Sequence, residues 1–136
     1  MEFYKTKFSK LSGTSYEEVY KHAREVMDVI KHRTKRKPYV RSAYFNKQKI
    51  FFDNFWVHMS QKLRPERFRR LKFFVAAIEL VQSSRLPAEV MPNPSKQTEL
   101  LYRMGGETKD GFQFCVQIKE NIKTGKRQLM SIFPVR

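Results

Sequence analysis

The chain predicts an α+β fold, with N-terminal and central helices packed on a roughly four-stranded antiparallel sheet that ends in a C-terminal three-stranded meander. Three observations lead there. From Gly111 to Glu120 apolar and other residues alternate: Phe112, Phe114, Val116 and Ile118 point one way, Gln113, Cys115, Gln117 and Lys119 the other. A period of two marks a strand buried on one face. Lys109-Asp110-Gly111 and Lys123-Thr124-Gly125 flank it and supply the glycine that tight hairpin turns need. Upstream, apolar residues recur at i, i+3, i+4 spacing, the period of helices.

Taken in order, residues 1–13 read as a loosely structured or docking lead-in, apolar at Phe3, Tyr4, Phe8 and Leu11. Ser15 three residues ahead of Glu18 forms a capping box, and Glu17 and Glu18 complement the helix dipole. A helix then follows through Tyr16, Val19, Tyr20, Ala23, Val26, Met27 and Ile30, ending near Lys31 to Thr34 before Pro38. Tyr39 to Phe52 reads as extended, with a bend at Asn46-Lys47-Gln48 and a strand at Lys49 to Phe52 joining the meander. Asp53 is placed to cap a short helix, NFWVHMSQK. Pro65 suits the first turn of a longer helix to about Ser84, carrying Phe68, Leu71, Phe74, Val75, Ile78, Leu80 and Val81. Arg85 to Lys96, with three prolines, reads as an irregular connection. The meander closes the chain with strands at about Thr98–Met104, Gly111–Glu120 and Lys126–Phe133; Gly105-Gly106 reads as a turn.

A chain of 136 residues, 40% hydrophobic and rich in Phe, is expected to form one globular domain. Residues 1–38 form its N-terminal helical part and residues 39–136 its α+β core. No apolar run has the length of a membrane span, and MEFYKTKFSK lacks a signal-peptide core, so no membrane association is expected. The single cysteine, Cys115, excludes an internal disulfide framework and fits a reducing cytoplasm. It reads as a small packed residue before a nucleophile.

Charge is the strongest global signal. Twenty-eight Lys and Arg against thirteen Asp and Glu give +15, which implies a polyanionic partner, nucleic acid first. An acidic inhibitor protein is also compatible. The run KHRTKRK from Lys31 to Lys37 reads either as a solvated link or as a backbone contact for nucleic acid. Arg64, Arg67, Arg69, Arg70 and Lys72 crowd the start of the central helix against the dipole preference, which points to an anion there or to internal pairing with Glu66.

Metal chemistry finds no support: His22, His32 and His58 are scattered, only three aspartates are present, and neither HExxH nor a carboxylate cluster occurs. No P-loop or GxGxxG is present either. Phosphodiester cleavage without a metal needs a proton acceptor, a proton donor and cations for the phosphorane charge. If Leu100, Tyr102 and Met104 face the core, Arg103 turns outward beside Gln117, Lys119 and Ser131. Two cations, an amide and a hydroxyl on one face suit a phosphate; the alternative is a solvated face of a basic protein. On the third strand Met130 and Ile132 are expected inward, and Arg127, Leu129 and Ser131 outward. Glu120 falls on the core side, and His58 can approach from the preceding helix.

From Arg41 onward, RSAYFNKQKIFFDNFWVH, RFRRLKFFVAAIEL and TELLYRMGGETKDGFQFCVQIKENIKTGKRQLMSIFP resemble the phage and mobile-element branch of the barnase–EndoU–colicin–RelE-like nucleases. The likeness spans roughly the last 95 residues; RSAYF, the arginine pair of RFRRLK, and VQIKE followed by a glycine turn and SIFP carry it best. The resemblance implies an open sheet face bearing the active site, and metal-independent RNA cleavage through a 2′,3′-cyclic phosphate with no cofactor. It also implies a toxin or mobile-element effector restrained by a cognate antitoxin. Carried over, it places Arg41, Ser42 and Tyr44 near the RNA substrate and makes His58 an acid or base. Arg69, Arg70, Arg103 and Lys119 would bind phosphate or stabilise the transition state, and Thr108, Gln117 and Ser131 would position it. The alternative is a non-catalytic basic nucleic-acid-binding module; a nucleotide-transferring toxin finds no supporting motif.

Overall fold

The computed structural model describes residues 1–135. In order, the elements are β1 (Phe3–Lys5), α1 (Tyr16–Arg33), β2 (Tyr39–Ser42), β3 (Gln48–Phe51), α2 (Asp53–Ser60), α3 (Arg64–Leu71), α4 (Phe74–Ser83), β4 (Glu89–Pro92), β5 (Glu99–Glu107), β6 (Gln113–Asn121) and β7 (Arg127–Pro134). The class is α+β, as expected. The sheet is larger and less regular than expected: seven strands in the order β1-β5-β6-β7-β3-β2, with β4 also on β5. It is mixed, because β1 runs parallel to β5 and β3 parallel to β7.

Local chemistry explains the start of α1 and the β2–β3 turn. The Ser15 hydroxyl accepts from the Glu18 amide at 3.3 Å, capping α1, and Val19, Ala23, Met27 and Ile30 form its buried stripe. The β2–β3 turn relies on Asn46 and Lys47 at positive φ, 55° and 65°. Beneath them Phe52, Phe55, Phe74 and Phe114 are buried in one core shared by α1, the later helices and the sheet, so residues 1–38 have no core of their own.

Several expectations give way to packing. Residues 3–5 form an edge strand on β5 in place of a loose lead-in. The Gly105-Gly106 pair is not a turn: it lies inside β5, where a Cβ on Gly105 would stand 2.8 Å from the Glu2 carbonyl oxygen. The segment from Pro65 to Ser84 is two helices. A break at Lys72-Phe73 lets Leu71, Phe73 and Phe74 all turn inward, which one straight helix cannot do at 100° per residue. Asp53 is the first residue of α2, and the N-cap position falls on Phe52; the Asp53 carboxylate pairs with Lys37 and Lys126 instead. Residues 85–96 are not wholly irregular, since β4 pairs with β5. Phe112 precedes β6 and is 44% exposed under the Lys10 ammonium.

The third meander strand departs most. Ser131 lies opposite Gln117 but Leu129 opposite Ile118, so Met130 is an extra residue, a β-bulge. Leu129 is buried with Ile132. Arg127 falls on the side of Glu120, pairing with it at 2.6 Å over the Phe45 ring. Leu129 and Arg127 are thus inward and Met130 outward, the reverse of strict alternation. A Cβ at Gly106 would stand 2.5 Å from the buried Phe114 ring. We therefore expect Gly106→Ala to cost about 1–3 kcal/mol by overpacking, read as a lower midpoint in denaturant unfolding; an unchanged midpoint would contradict this packing.

Candidate functional site

Register brings one residue from each meander strand into a row: Arg103 opposite Gln117, and Gln117 opposite Ser131. The row occupies the face opposite Met104, Val116 and Ile132. Arg103 Nε donates to Gln117 Oε1 at 2.7 Å, and Gln117 is only 8% exposed, so the amide anchors the guanidinium. That guanidinium lies 5.7 Å from the Phe133 ring centroid, with the Arg70 guanidinium 5.9 Å from the same ring.

The side of the row is closed by the helices because β3 pairs with β7 only at Arg127 and Gln128. Beyond that point α2 and α3 lie along the β7 edge. His58 from α2, Lys62 just after it and Arg70 from α3 join Arg103, Gln117, Met130, Ser131 and Phe133 around a pocket of about 340 Å³. Arg70 reaches across by donating to the Ile132 carbonyl at 3.4 Å while Glu66 holds its Nε at 2.7 Å.

The charges at this pocket are unequal. Among the described residues Arg103 and Lys62 form no ion pair, whereas Arg70 shares Glu66 with Arg69. Lys119 projects on the same face as Arg103, 3.6 Å from Glu99. Burial lowers the pKa of His58 below its ordinary value, and the charges of Lys119 and Lys62 push it the same way. At neutral pH the imidazole is therefore uncharged, with a lone pair free to accept a proton. Glu120 is not available to it: its carboxylate faces the opposite side, accepting from the Tyr102 hydroxyl at 3.1 Å and pairing with Arg127.

Of the residues singled out in the sequence, His58, Arg70, Arg103, Gln117 and Ser131 meet in this pocket, with Lys119 beside it. The other five do not reach it. Arg41 is exposed on β2 and donates to the Lys47 carbonyl at 3.0 Å. Ser42 is fully buried, and its hydroxyl accepts from the Phe45 amide, so it builds the β2–β3 turn. Tyr44 packs edge-on against Phe45 and Tyr102, on the Glu120 side. Arg69 pairs with Glu66, which also takes Arg70. Thr108 is buried in the β5–β6 turn, accepting from the Phe112 amide at 2.9 Å. Arg41, Ser42, Arg69 and Thr108 serve local structure, and Tyr44 packs onto the distant Tyr102.

Lys62, Met130 and Phe133 were missed. The i, i+4 spacing of His58 and Lys62 on one helical face could have flagged the first; the bulge that turns Met130 outward left no sequence signal. Cys115 is buried, which pushes its thiol pKa up and keeps it protonated, so it supplies no nucleophile. Among the described residues no three His, Cys, Asp or Glu side chains gather to hold a metal ion, and no helix is long and apolar enough to cross a membrane.

In comparisons with protein-family models, curated proteins and solved structures, none matches this chain. The functional reading accordingly rests on the geometry of the pocket. Because neighbouring cations contribute to the depressed His58 pKa, Lys119→Gln should raise it toward the ordinary histidine value. An NMR titration of the imidazole protons reads this directly; a fall in the variant, or a wild-type value above 6.5, would refute the electrostatics.

Proposed function

We propose that the chain is a ribonuclease that needs neither metal nor cofactor and cleaves RNA by attack of a ribose 2′-hydroxyl on the adjacent phosphorus. The observation that carries this reading is the meeting of a neutral imidazole, His58, with an anchored guanidinium, Arg103, in one cationic pocket. His58 accepts the proton of the 2′-hydroxyl as its oxygen bonds to phosphorus. Arg103 and Arg70 hold the added negative charge of the five-coordinate phosphorus, with Ser131 and Gln117 orienting the non-bridging oxygens. The bond to the 5′-oxygen breaks, and the Lys62 ammonium gives that oxygen a proton. The products are a 2′,3′-cyclic phosphate and a 5′-hydroxyl. Lys119 acts at one remove, adding its charge to the burial that lowers the His58 pKa.

The net charge of +15 supports RNA as the partner and suits an acidic antitoxin or inhibitor that would cover the pocket. A cytoplasmic toxin or mobile-element effector fits that pairing. A second reading, a non-catalytic nucleic-acid-binding module, is favoured by a larger basic cleft elsewhere that holds no general base. One experiment separates the two. Purified protein incubated with total RNA in EDTA should release fragments ending in 2′,3′-cyclic phosphate. His58→Ala should lose about 10²–10⁴ in rate and Arg103→Ala about 10²–10³. Tight binding with no chelator-resistant cleavage would leave only the module.

The pH dependence follows from the His58 shift. A base whose pKa lies below 6.5 is active above that value and silenced as the pH falls through it. Initial rates should therefore be flat from neutrality down to about pH 6.5 and fall tenfold per unit once below the His58 pKa. A rate that rises on acidification would make His58 the acid instead.

A further inference from the structure

A larger cleft than the His58 pocket lies elsewhere. Arg33, Lys35, Arg36, Lys37, Lys49 and Lys126 surround two rings, Tyr39 and Phe51, in a cleft of about 760 Å³. The cations come from the end of α1 and the segment after it, from β3 and from the turn before β7, so they are distant in sequence and gathered by folding. Lys37 and Lys126 share the Asp53 carboxylate, at 3.0 and 3.5 Å. Arg33, Lys35, Arg36 and Lys49 form no ion pair among the described residues. A folded protein places four unneutralised cations side by side at the cost of mutual repulsion.

The rings make the cleft more than a charged surface. Tyr39 and Phe51 meet edge to face at 5.9 Å, and both are only partly buried. Lys49 Nζ hangs 4.6 Å from the Tyr39 centroid and Lys126 Nζ 5.0 Å from that of Phe51. These are flexible ammonium ends that can swing to phosphates while a base takes the ring face. Aromatic faces beside lysines and arginines are the recognition set of single-stranded nucleic acid, whose bases are free to stack. A duplex hides those faces, and an acidic protein surface offers nothing to stack.

We propose that this cleft is a binding site for single-stranded RNA, holding the strand that the His58 pocket acts on. The inference builds on the ribonuclease reading for where the strand goes next. Helix α2 connects the two places, since Asp53, its first residue, sits among the cleft cations and His58 lines the pocket. Five residues of helix advance roughly 7.5 Å, so one strand can run along α2 from the cleft to the pocket. Nucleotides flanking the scissile bond would lie across Tyr39 and Phe51, and the salt-dependent part of affinity would reside in the cleft.

The test uses the full chain carrying His58→Ala, so that binding is read without cleavage, and a fluorescent twelve-nucleotide oligouridine in EDTA. Anisotropy titrations across a salt series should show the combined Lys35→Gln, Arg36→Gln and Lys49→Gln protein binding about tenfold or more weakly. Its log–log salt slope should be shallower by about 2, since three phosphate contacts on a single strand contribute about 0.7 each. Tyr39→Leu should weaken binding at least about fivefold with little change of slope. All three cations are exposed, and circular dichroism melts verify that the variants are folded. Unchanged affinity and slope in the triple variant would overturn the proposal. So would duplex RNA bound as tightly as the single strand, or polyglutamate displacing the oligonucleotide at equal charge. Failure of the nuclease reading looks different: the triple variant still loses affinity, and the protein with His58 intact leaves RNA uncut.

Discussion

One extra residue in β7 governs where the pocket can exist. Without the bulge at Met130, strict alternation from Ile132 and Ser131 would send Leu129 to the outer face. With it, Leu129 and Ile132 are both buried and Ser131 still faces Gln117. A bulge also sharpens the local twist of its strand. Past it β7 is no longer paired with β3, and α2 and α3 fill the edge with His58 and Arg70. The core and the site are therefore two outcomes of one irregularity in a strand.

Carboxylates are few in this chain, and their placement determines which cations remain unpaired. Glu66 holds Arg69 and Arg70, Glu99 lies between Lys96 and Lys119, Asp53 joins Lys37 to Lys126, and Glu120 takes Arg127. Burial alone would raise the pKa of Asp53, but the Lys37 hydrogen bond and the Lys126 charge outweigh it and hold the carboxyl below its ordinary value. The same holds for Glu99, where Asn93, Lys119 and Lys96 overcome the burial. These acids tie elements together and leave Arg103, Lys62, Arg33, Lys35, Arg36 and Lys49 without a carboxylate partner among the described residues. Of these, Arg103 and Lys62 line the His58 pocket, and Arg33, Lys35, Arg36 and Lys49 line the larger basic cleft.

Much of the architecture is legible in the chain because local rules agree with it. Ser15 with Glu18 starts α1, the glycine turns bound β6, and Phe114, Val116 and Ile118 do share the core face, although Cys115 and Gln117 between them are buried as well. The outward row of Arg103, Gln117 and Ser131 was legible for the same reason, since pleating is a local property of a strand. The expectations that failed involve choices no local pattern expresses: β1 joining β5 in parallel, the break at Lys72-Phe73, and the bulge. Each is set by what the neighbouring element needs to bury.

What this sequence determines by itself is a strongly basic α+β chain with Arg103, Gln117 and Ser131 on one sheet face, because charge, periodicity and turn chemistry act over a few residues. Only the tertiary structure decided that His58 and Lys62 close that face while Arg41, Ser42, Tyr44, Arg69 and Thr108 serve turns, packing and a local ion pair instead. Side chains far apart in sequence meet or miss according to how the helices seat on the β7 edge, and that seating is fixed by core packing rather than by any spacing along the chain.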